Sequence, residues 1–294
     1  MKPSDIQRTN RLADRALEIE WEHAEHAGAM AYFARILVLA TMPHSRPKTS
    51  QFQRTNGKFT MTMVAPDAVG LPFGSIPRLV LAWLSTEAVQ TRSRRLELGQ
   101  SLSAFMRQLD MAPTGGQRGD ITRLRNQMNR LFASTISCSY SDKDVGYDGR
   151  RSFLIADKID LWWDTRRPDE QTLWESTITL GERFYQELID HPVPLDMRAL
   201  KALKQSPLAL DIYAWLTYRM HSLDQPVVIP WAVIEAQFGS SYSATWDFRC
   251  KFLERLKAVQ VVYPKVRIAE VPGRGLKLSP SLTSVPSPAH RHLP

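Results

Sequence analysis

Apolar positions recur along this chain at two spacings, and the switches between them mark out its elements. Residues 5–26 are largely polar, with Ile6, Leu12, Leu17 and Ile19 spaced for one face of a helix, which predicts an N-terminal helical arm. The Pro-, Ser- and Lys-rich stretch MPHSRPKTSQ (42–51) reads as a linker. Alternation over KFTMTMVAP (58–66) predicts a strand. Beyond it, Leu79, Leu81, Ala82, Trp83, Leu84, Ala88 and Val89 make IPRLVLAWLSTEAVQT a buried helix introduced by Pro77. In SLSAFMRQLDM, Leu102, Phe105, Met106 and Leu109 share one face, and Ser101 or Ser103 can cap the start.

The next stretch, PTGGQRGDITRLRNQMNRLF (113–132), has the look of either a phosphate loop or a turn before a DNA-reading helix. A nucleotide loop reads G-x-x-x-x-G-K-[ST] after a strand. Here a helix precedes the glycines and no Lys-Ser/Thr follows them. Ile121, Leu124, Met128, Leu131 and Phe132 recur at three- and four-residue intervals, so one face is core. The opposite face carries Thr122, Arg123, Asn126, Asn129 and Arg130 and no acid. Arg and Asn can bond bidentately to guanine and adenine edges in the major groove. Helix, Gly115-Gly116 turn and helix together read as helix-turn-helix. Arg118, Gly119 and Asp120 then sit at the helix start, where open N–H groups suit a DNA phosphate.

Downstream, STISCSY and SFLIADKIDLWWD flank the turn-rich SDKDVGYDGRR, predicting a hairpin with Lys143, Arg150 and Arg151 at its tip or shoulder. Helix, helix, hairpin is the order of a winged helix, and a basic wing lies naturally along phosphates. Trp162 and Trp163 close the second strand, where packing is their ordinary role and base stacking the alternative. The pattern then repeats. SPLALDIYAWLTYRM (206–220) is a buried helix capped by Ser206 with Pro207 in its first turn. VVIPWAVIEAQFG gives a short strand and a helix ending at Gly239, and SSYSATWDFRCKFLERLKAVQ a helix with Phe248, Phe252, Leu256 and Val259 inward. VVYPKVRIAEVPGRGLKLSPS closes as a second hairpin, and the Pro/Ser-rich residues 281–294 read as a disordered tail.

Charge sharpens this picture. The formal net charge is +8 and the pI near 9.6, which favours a polyanionic partner. The most apolar run, AMAYFARILVLATM, is short and holds Arg35, so a soluble cytoplasmic protein is expected and nucleic acid is favoured over lipid. Two distant cysteines, Cys138 and Cys250, fit neither a metal site nor a disulfide framework. Glu20, His23, Glu25 and His26 match no zinc-protease spacing and read as a solvated helical face. Catalysis on DNA also lacks its motifs. There is no His-x-x-Arg, the pair His290/His292 stands alone in the tail, Tyr185 has no metal ligands around it, and Asp160 and Asp164 read as surface. No enzyme, metal or cofactor is expected.

Three blocks, residues 78–132, DLWWD (160–164) and PLALDIYAWLTYRM (207–220), resemble plasmid replication initiators of the RepA type, over most of residues 60–280. The resemblance implies an α+β fold of two tandem winged-helix domains, each a helix-turn-helix plus a β-hairpin wing, with the N-terminal helical arm in front. The expected division is arm and linker 1–50, first domain 51–190, second domain 191–280 and tail 281–294. It further implies binding to repeated double-stranded origin sites, local opening, recruitment of host replication proteins and, in many members, self-repression as homodimers. A winged-helix transcriptional repressor is the alternative, and a nicking or strand-transfer enzyme the more distant one. Thr122, Arg123, Asn126, Asn129 and Arg130 are the expected base readers of the first domain, with Lys251, Arg255 and Lys257 matching them in the second. Ser240, Ser241 and Tyr242 are expected to touch backbone, and Arg118, Lys143, Arg150, Arg151, Arg274 and Lys277 to position phosphates. In related initiators the second domain often dominates base contact, whereas here the first reading helix is the more basic.

Overall fold

The computed structural model describes residues 3–142, 144–239 and 244–285 as a mixed assembly of helices and antiparallel sheets. The chain begins with α1 (Pro3–Trp21), whose Leu12 and Ile19 rest on the core, followed by β1 (Met30–Ala34) and the short α2 (Arg35–Leu39). A hairpin of β2 (Gln51–Asn56) and β3 (Phe59–Val64) comes next. The helix α3 (Ser75–Thr91) is apolar on nearly every side and is therefore buried from Ile76 through Thr86. It leads into β4 (Arg95–Glu97) and α4 (Leu102–Gln108), whose cap is Ser101, accepting from the Ala104 amide. Then follow α5 (Asp120–Phe132), β5 (Thr135–Asp142), β6 (Tyr147–Leu154), β7 (Ala156–Asp160) and β8 (Thr177–Leu180).

Connecting elements α6 (Glu182–Asp190), β9 (Pro192–Asp196) and α7 (Met197–Leu203) lead to α8 (Pro207–His221). This second all-round apolar helix starts at the Ser206 cap with Pro207 in its first turn, as its sequence predicts. After it come β10 (Val227–Pro230), α9 (Trp231–Phe238), α10 (Thr245–Val262), β11 (Arg267–Val271) and β12 (Gly275–Ser279).

One topology occurs twice. A buried helix, a strand, two helices and two strands follow in order in α3-β4-α4-α5-β7-β8 and again in α8-β10-α9-α10-β11-β12. The sheets match as well, ordered β4-β8-β7 and β10-β12-β11, with the last strand central in each. The first copy differs by an insertion. The hairpin β5–β6, with Arg150 and Arg151, does not pair with β4; it joins β2–β3 in a four-stranded sheet ordered β2-β3-β5-β6. The strands that close on β4 are β7 and β8, so the run SFLIADKIDLWWD is two strands, broken at the fully buried Ile155.

The segment read as a linker is not loose. Met42 and Pro43 are buried, and their carbonyls accept from the Arg78 guanidinium on α3 at 2.7 and 3.2 Å. The same guanidinium meets Asp211 on α8, which also takes a 2.8 Å bond from His44. Thr41 donates to the Gln237 carbonyl at 3.1 Å, and the Gln237 amide donates to the Val38 carbonyl at 3.1 Å. Buried Arg54 on β2 donates to the Ala236 carbonyl at 3.2 Å, and burial pushes its pKa down to about 10. Proline and serine content marked this stretch as a connector, but its backbone carbonyls serve partners distant in sequence. Likewise β1 pairs antiparallel with β9, from Met30 opposite Asp196 to Ala34 opposite Pro192. A single cluster of buried side chains runs from Ala31 to Leu278, with no break near residue 190. Residues 281–285, expected in the disordered tail, are tied down. Tyr263 donates to the Leu282 carbonyl, Tyr213 bonds Ser284 at 2.7 Å, and Val285 is buried.

Candidate nucleic-acid interface

The helix α5 is amphipathic as its spacing predicts, with Ile121, Leu124, Met128, Leu131 and Phe132 buried. The turn before it winds around Thr114. Its hydroxyl accepts from the Asp120 amide at 2.9 Å and its carbonyl from the Ile121 amide at 3.2 Å. Gly116 lies at φ 88°, a left-handed conformation that favours glycine. A Cβ on Gly119 would stand 2.2 Å from the Gly115 carbonyl oxygen, so a side chain there is excluded by contact. These bonds occupy amides that the sequence suggested would stand open for a phosphate. Asp120 also places a carboxylate at the helix start, held 2.6 Å from Arg123.

The polar face divides. Arg123, Asn126 and Asn129 are exposed, while Thr122 is half-buried with its hydroxyl donated to the Gly116 carbonyl at 2.8 Å. Arg130 turns inward. It lies 5.6 Å from the Phe73 ring centroid and donates to the Leu71 carbonyl at 3.3 Å. Burial lowers its pKa, and the charge of nearby Arg46 lowers it further. Two cations escaped the sequence reading: Arg125 on α5, and Arg46 in the supposed linker. Both are exposed, as is Arg118, and Arg118 and Arg125 make no ion pair among the described residues. The count along the helix would have given Arg125, which lies one turn from Asn129. Gln127, by contrast, is buried and accepts from the Phe73 amide at 2.9 Å.

In the second copy α10 buries Phe248, Phe252, Leu256 and Val259 as expected, but its cations are largely spoken for. Lys251 and Arg255 contact Glu254 at 3.0 and 3.1 Å, and Arg249 contacts Glu270 at 3.1 Å while lying over Trp231. Lys257 is exposed and makes no ion pair among the described residues. Trp246, in the first turn, is 70% exposed, an apolar group of the kind that can touch a thymine methyl. Ser240, Ser241 and Tyr242 lie outside the described residues, as does Lys143. Arg274 and Lys277 are exposed at the tip and on one strand of the β11–β12 hairpin. Arg150 and Arg151 are exposed neighbours on β6, so they point to opposite faces of its sheet and do not share one surface.

The connection between β7 and β8 holds the tryptophans. Trp163 stacks on Phe105 at 5.2 Å, whereas Trp162 and Trp174 stand largely exposed with ring centroids 6.4 Å apart. This loop carries Asp164, Asp169, Glu170 and Glu175 against Arg166 and Arg167, and Arg167 bonds to both Asp164 and Glu170. Bonds from the Arg166 amide and the Arg167 side chain hold the Asp164 carboxyl below the usual carboxylate range. Its chemistry is acidic and aromatic, unlike the basic hairpin expected at this place.

Among the described residues no group of His, Cys, Asp and Glu could hold a metal ion, and no helix is long and apolar enough to cross a membrane. Burial pushes the Cys138 thiol up to about 12, far from a nucleophile's range.

Comparison with known proteins adds the family. The model of a family described as "Plasmid encoded RepA protein" matches residues 71–232, which takes in α3 through β10 and includes α5 but stops short of α10. Two solved structures of domains 2 and 3 of RctB are similar in fold. One has a TM-score of 0.54 at 11% identity, covering 84% of this chain and 96% of that one. The other has a TM-score of 0.51 at 12% identity, covering 82% and 94%. No curated protein matches the chain.

Proposed function

This chain belongs to the family of plasmid-encoded RepA proteins, replication initiators, and from that premise we propose that it binds repeated double-stranded sites at its origin. It does so as a tandem winged-helix protein acting in the cytoplasm, without a catalytic step or cofactor. The reading of two winged helices is supported by the repeated topology and by the shared strand order, first-third-second, of the two small sheets. The observation that carries DNA binding is α5, whose exposed Arg123, Arg125, Asn126 and Asn129 follow a tight turn bearing Arg118. Arg118 and Arg125 anchor phosphates and set affinity, while Asn126, Asn129 and Arg123 meet base edges. Arg46 adds to the same electrostatic footprint through its proximity to Arg130. Glu254 and Glu270 neutralise much of the α10 surface, so the first copy supplies more of the affinity. Local opening of the duplex and recruitment of host replication proteins are the later steps of this proposal.

The test is a gel-shift of the whole protein on DNA flanking its own gene, at two salt concentrations, with footprinting of the shifted band. Regularly spaced protected repeats are expected. A single protected palindrome at the promoter would favour a repressor. Binding without preference over random DNA would overturn the proposal.

A further inference from the structure

Away from both reading helices, a cleft of about 730 Å³ opens between the α1–β1 turn, β9 and the end of α8. Small-molecule sites span roughly 300–1,000 Å³, so its size suits a ligand of modest mass. The floor is apolar and flat-sided, built by Tyr32 of β1, Pro192 and Pro194 of β9 and Tyr218 of α8. The exposed His23, His26, His191 and His221 stand at the rim, and the half-buried Arg35 also lines the cleft. Four of the chain's seven histidines thus meet at one opening, drawn from three separate parts of the sequence. His23 and His26, expected on a solvated helical face, are exposed but lie in the turn beyond α1, which ends at Trp21.

A metal would be the first thought for such a rim, but among the described residues no donor set has the geometry to hold one. Even a neutral imidazole offers one N–H donor, and a guanidinium offers several. Glu25 is the one carboxylate among the lining residues. Glu187 lies 3.5 Å from the Arg35 Nε and offsets part of that charge, so His23, His26 and His191 are the principal donors. Donors above an aromatic and proline floor select an anionic group attached to a flat apolar body.

We propose that this cleft binds a small organic anion of that kind, with the anionic group at the histidine rim and the flat body against Tyr32 and Tyr218. The site contains none of the DNA-reading side chains, so the proposal stands apart from origin binding. Two sources share the chemistry, a nucleotide and an aromatic acid.

The experiment titrates the whole protein with N-methylanthraniloyl-ADP and, separately, with anilinonaphthalene sulfonate, following fluorescence. Saturable one-to-one binding of at least one probe is expected. Preference for the first identifies a nucleotide, and for the second an aromatic acid. His23→Ala with His191→Ala replaces two exposed rim residues and leaves the core intact, and Tyr218→Ala removes part of the floor. Each change is expected to weaken binding about tenfold or more, with unchanged far-UV dichroism. Failure of both probes to saturate, or equal binding by the rim double variant, would overturn the proposal.

Discussion

Arg78 and Asp211 meet through two parallel hydrogen bonds of 2.7 Å, Nε to Oδ1 and Nη2 to Oδ2, both side chains buried, and so join the central helix of the first copy to that of the second. A buried ion pair is costly to desolvate and is retained only when its remaining donors and acceptors are met. Here the Met42, Pro43 and Gly74 carbonyls take the other guanidinium protons, and His44 bonds the carboxylate. Asp211→Ala leaves the guanidinium charged and unpaired. The expected loss is about 3–5 kcal/mol, read as a lower urea midpoint.

The same cluster makes stability depend on pH. Burial lowers the His44 pKa despite the opposing pull of Asp211, so His44 folds neutral. Below about pH 6.5 the unfolded chain takes up a proton that the folded one does not, and stability falls with pH. Asp211 is held below its ordinary range by Arg78 and His44 against the cost of burial, so a second loss begins below about pH 4. Urea denaturation from pH 7.5 to 4 is expected to show a steady decline, and His44→Gln is expected to flatten its onset below about pH 6.5.

On α5, exposed residues are expected to separate by role. Arg125→Ala weakens binding equally on every sequence and reduces the salt slope by about 1, the mark of a phosphate contact. Asn126→Ala costs about 1–3 kcal/mol on the best site and relaxes preference at one base pair. Arg130→Ala, at a side chain already packed on Phe73 and Leu71, lowers thermal stability more than it lowers affinity. Competition gel-shifts on single-base site variants read all three.

The turn before α5 offers a sharper probe. Gly119→Ala places a methyl group against the Gly115 and Thr114 carbonyl oxygens, at 2.2 and 2.3 Å, so the turn must open. The expected cost is about 1–3 kcal/mol in stability, with loss of DNA binding beyond what Gly116→Ala produces, where space is open and the strain is that of the left-handed backbone alone.

Among the tryptophans, Trp163→Ala removes the partner of Phe105 and is expected to cost about 3 kcal/mol. Trp162→Ala and Trp174→Ala, at exposed positions in an acidic loop, are expected to shift stability by less than about 0.5 kcal/mol and to leave DNA affinity unchanged. Thermal melts and gel-shifts of the three variants decide it.

Periodicity made α5 legible because an amphipathic helix writes its buried face into local spacing, and Leu124 and Leu131 are both fully buried. The basic hairpin was found but misassigned, since nothing local distinguishes a strand that pairs with β5 from one that pairs with β8. That choice is made at Ile155, whose carbonyl accepts from the Gly181 amide at 3.0 Å. Residues 42–44 looked like a connector for a related reason. Their partners, Arg78 and Asp211, lie far along the chain, and composition says nothing of partners at that distance. Inward-turned Arg130 was equally invisible, because helical phase places it on the polar face and its contacts with Phe73 and the Leu71 carbonyl draw it away.

The pairing of β1 with β9 also bears on how the protein is born. Met30 leaves the ribosome long before Asp196, its partner across the ladder. At roughly 5–20 residues per second the wait is on the order of ten to thirty seconds. Through that interval the buried faces of β1 and α2, with Phe33, Ile36 and Leu37, have no finished core to enter. The first stretch of the chain is thus among the last to lock, and slowing translation before residue 196 lengthens its exposure to chaperones and proteases alike.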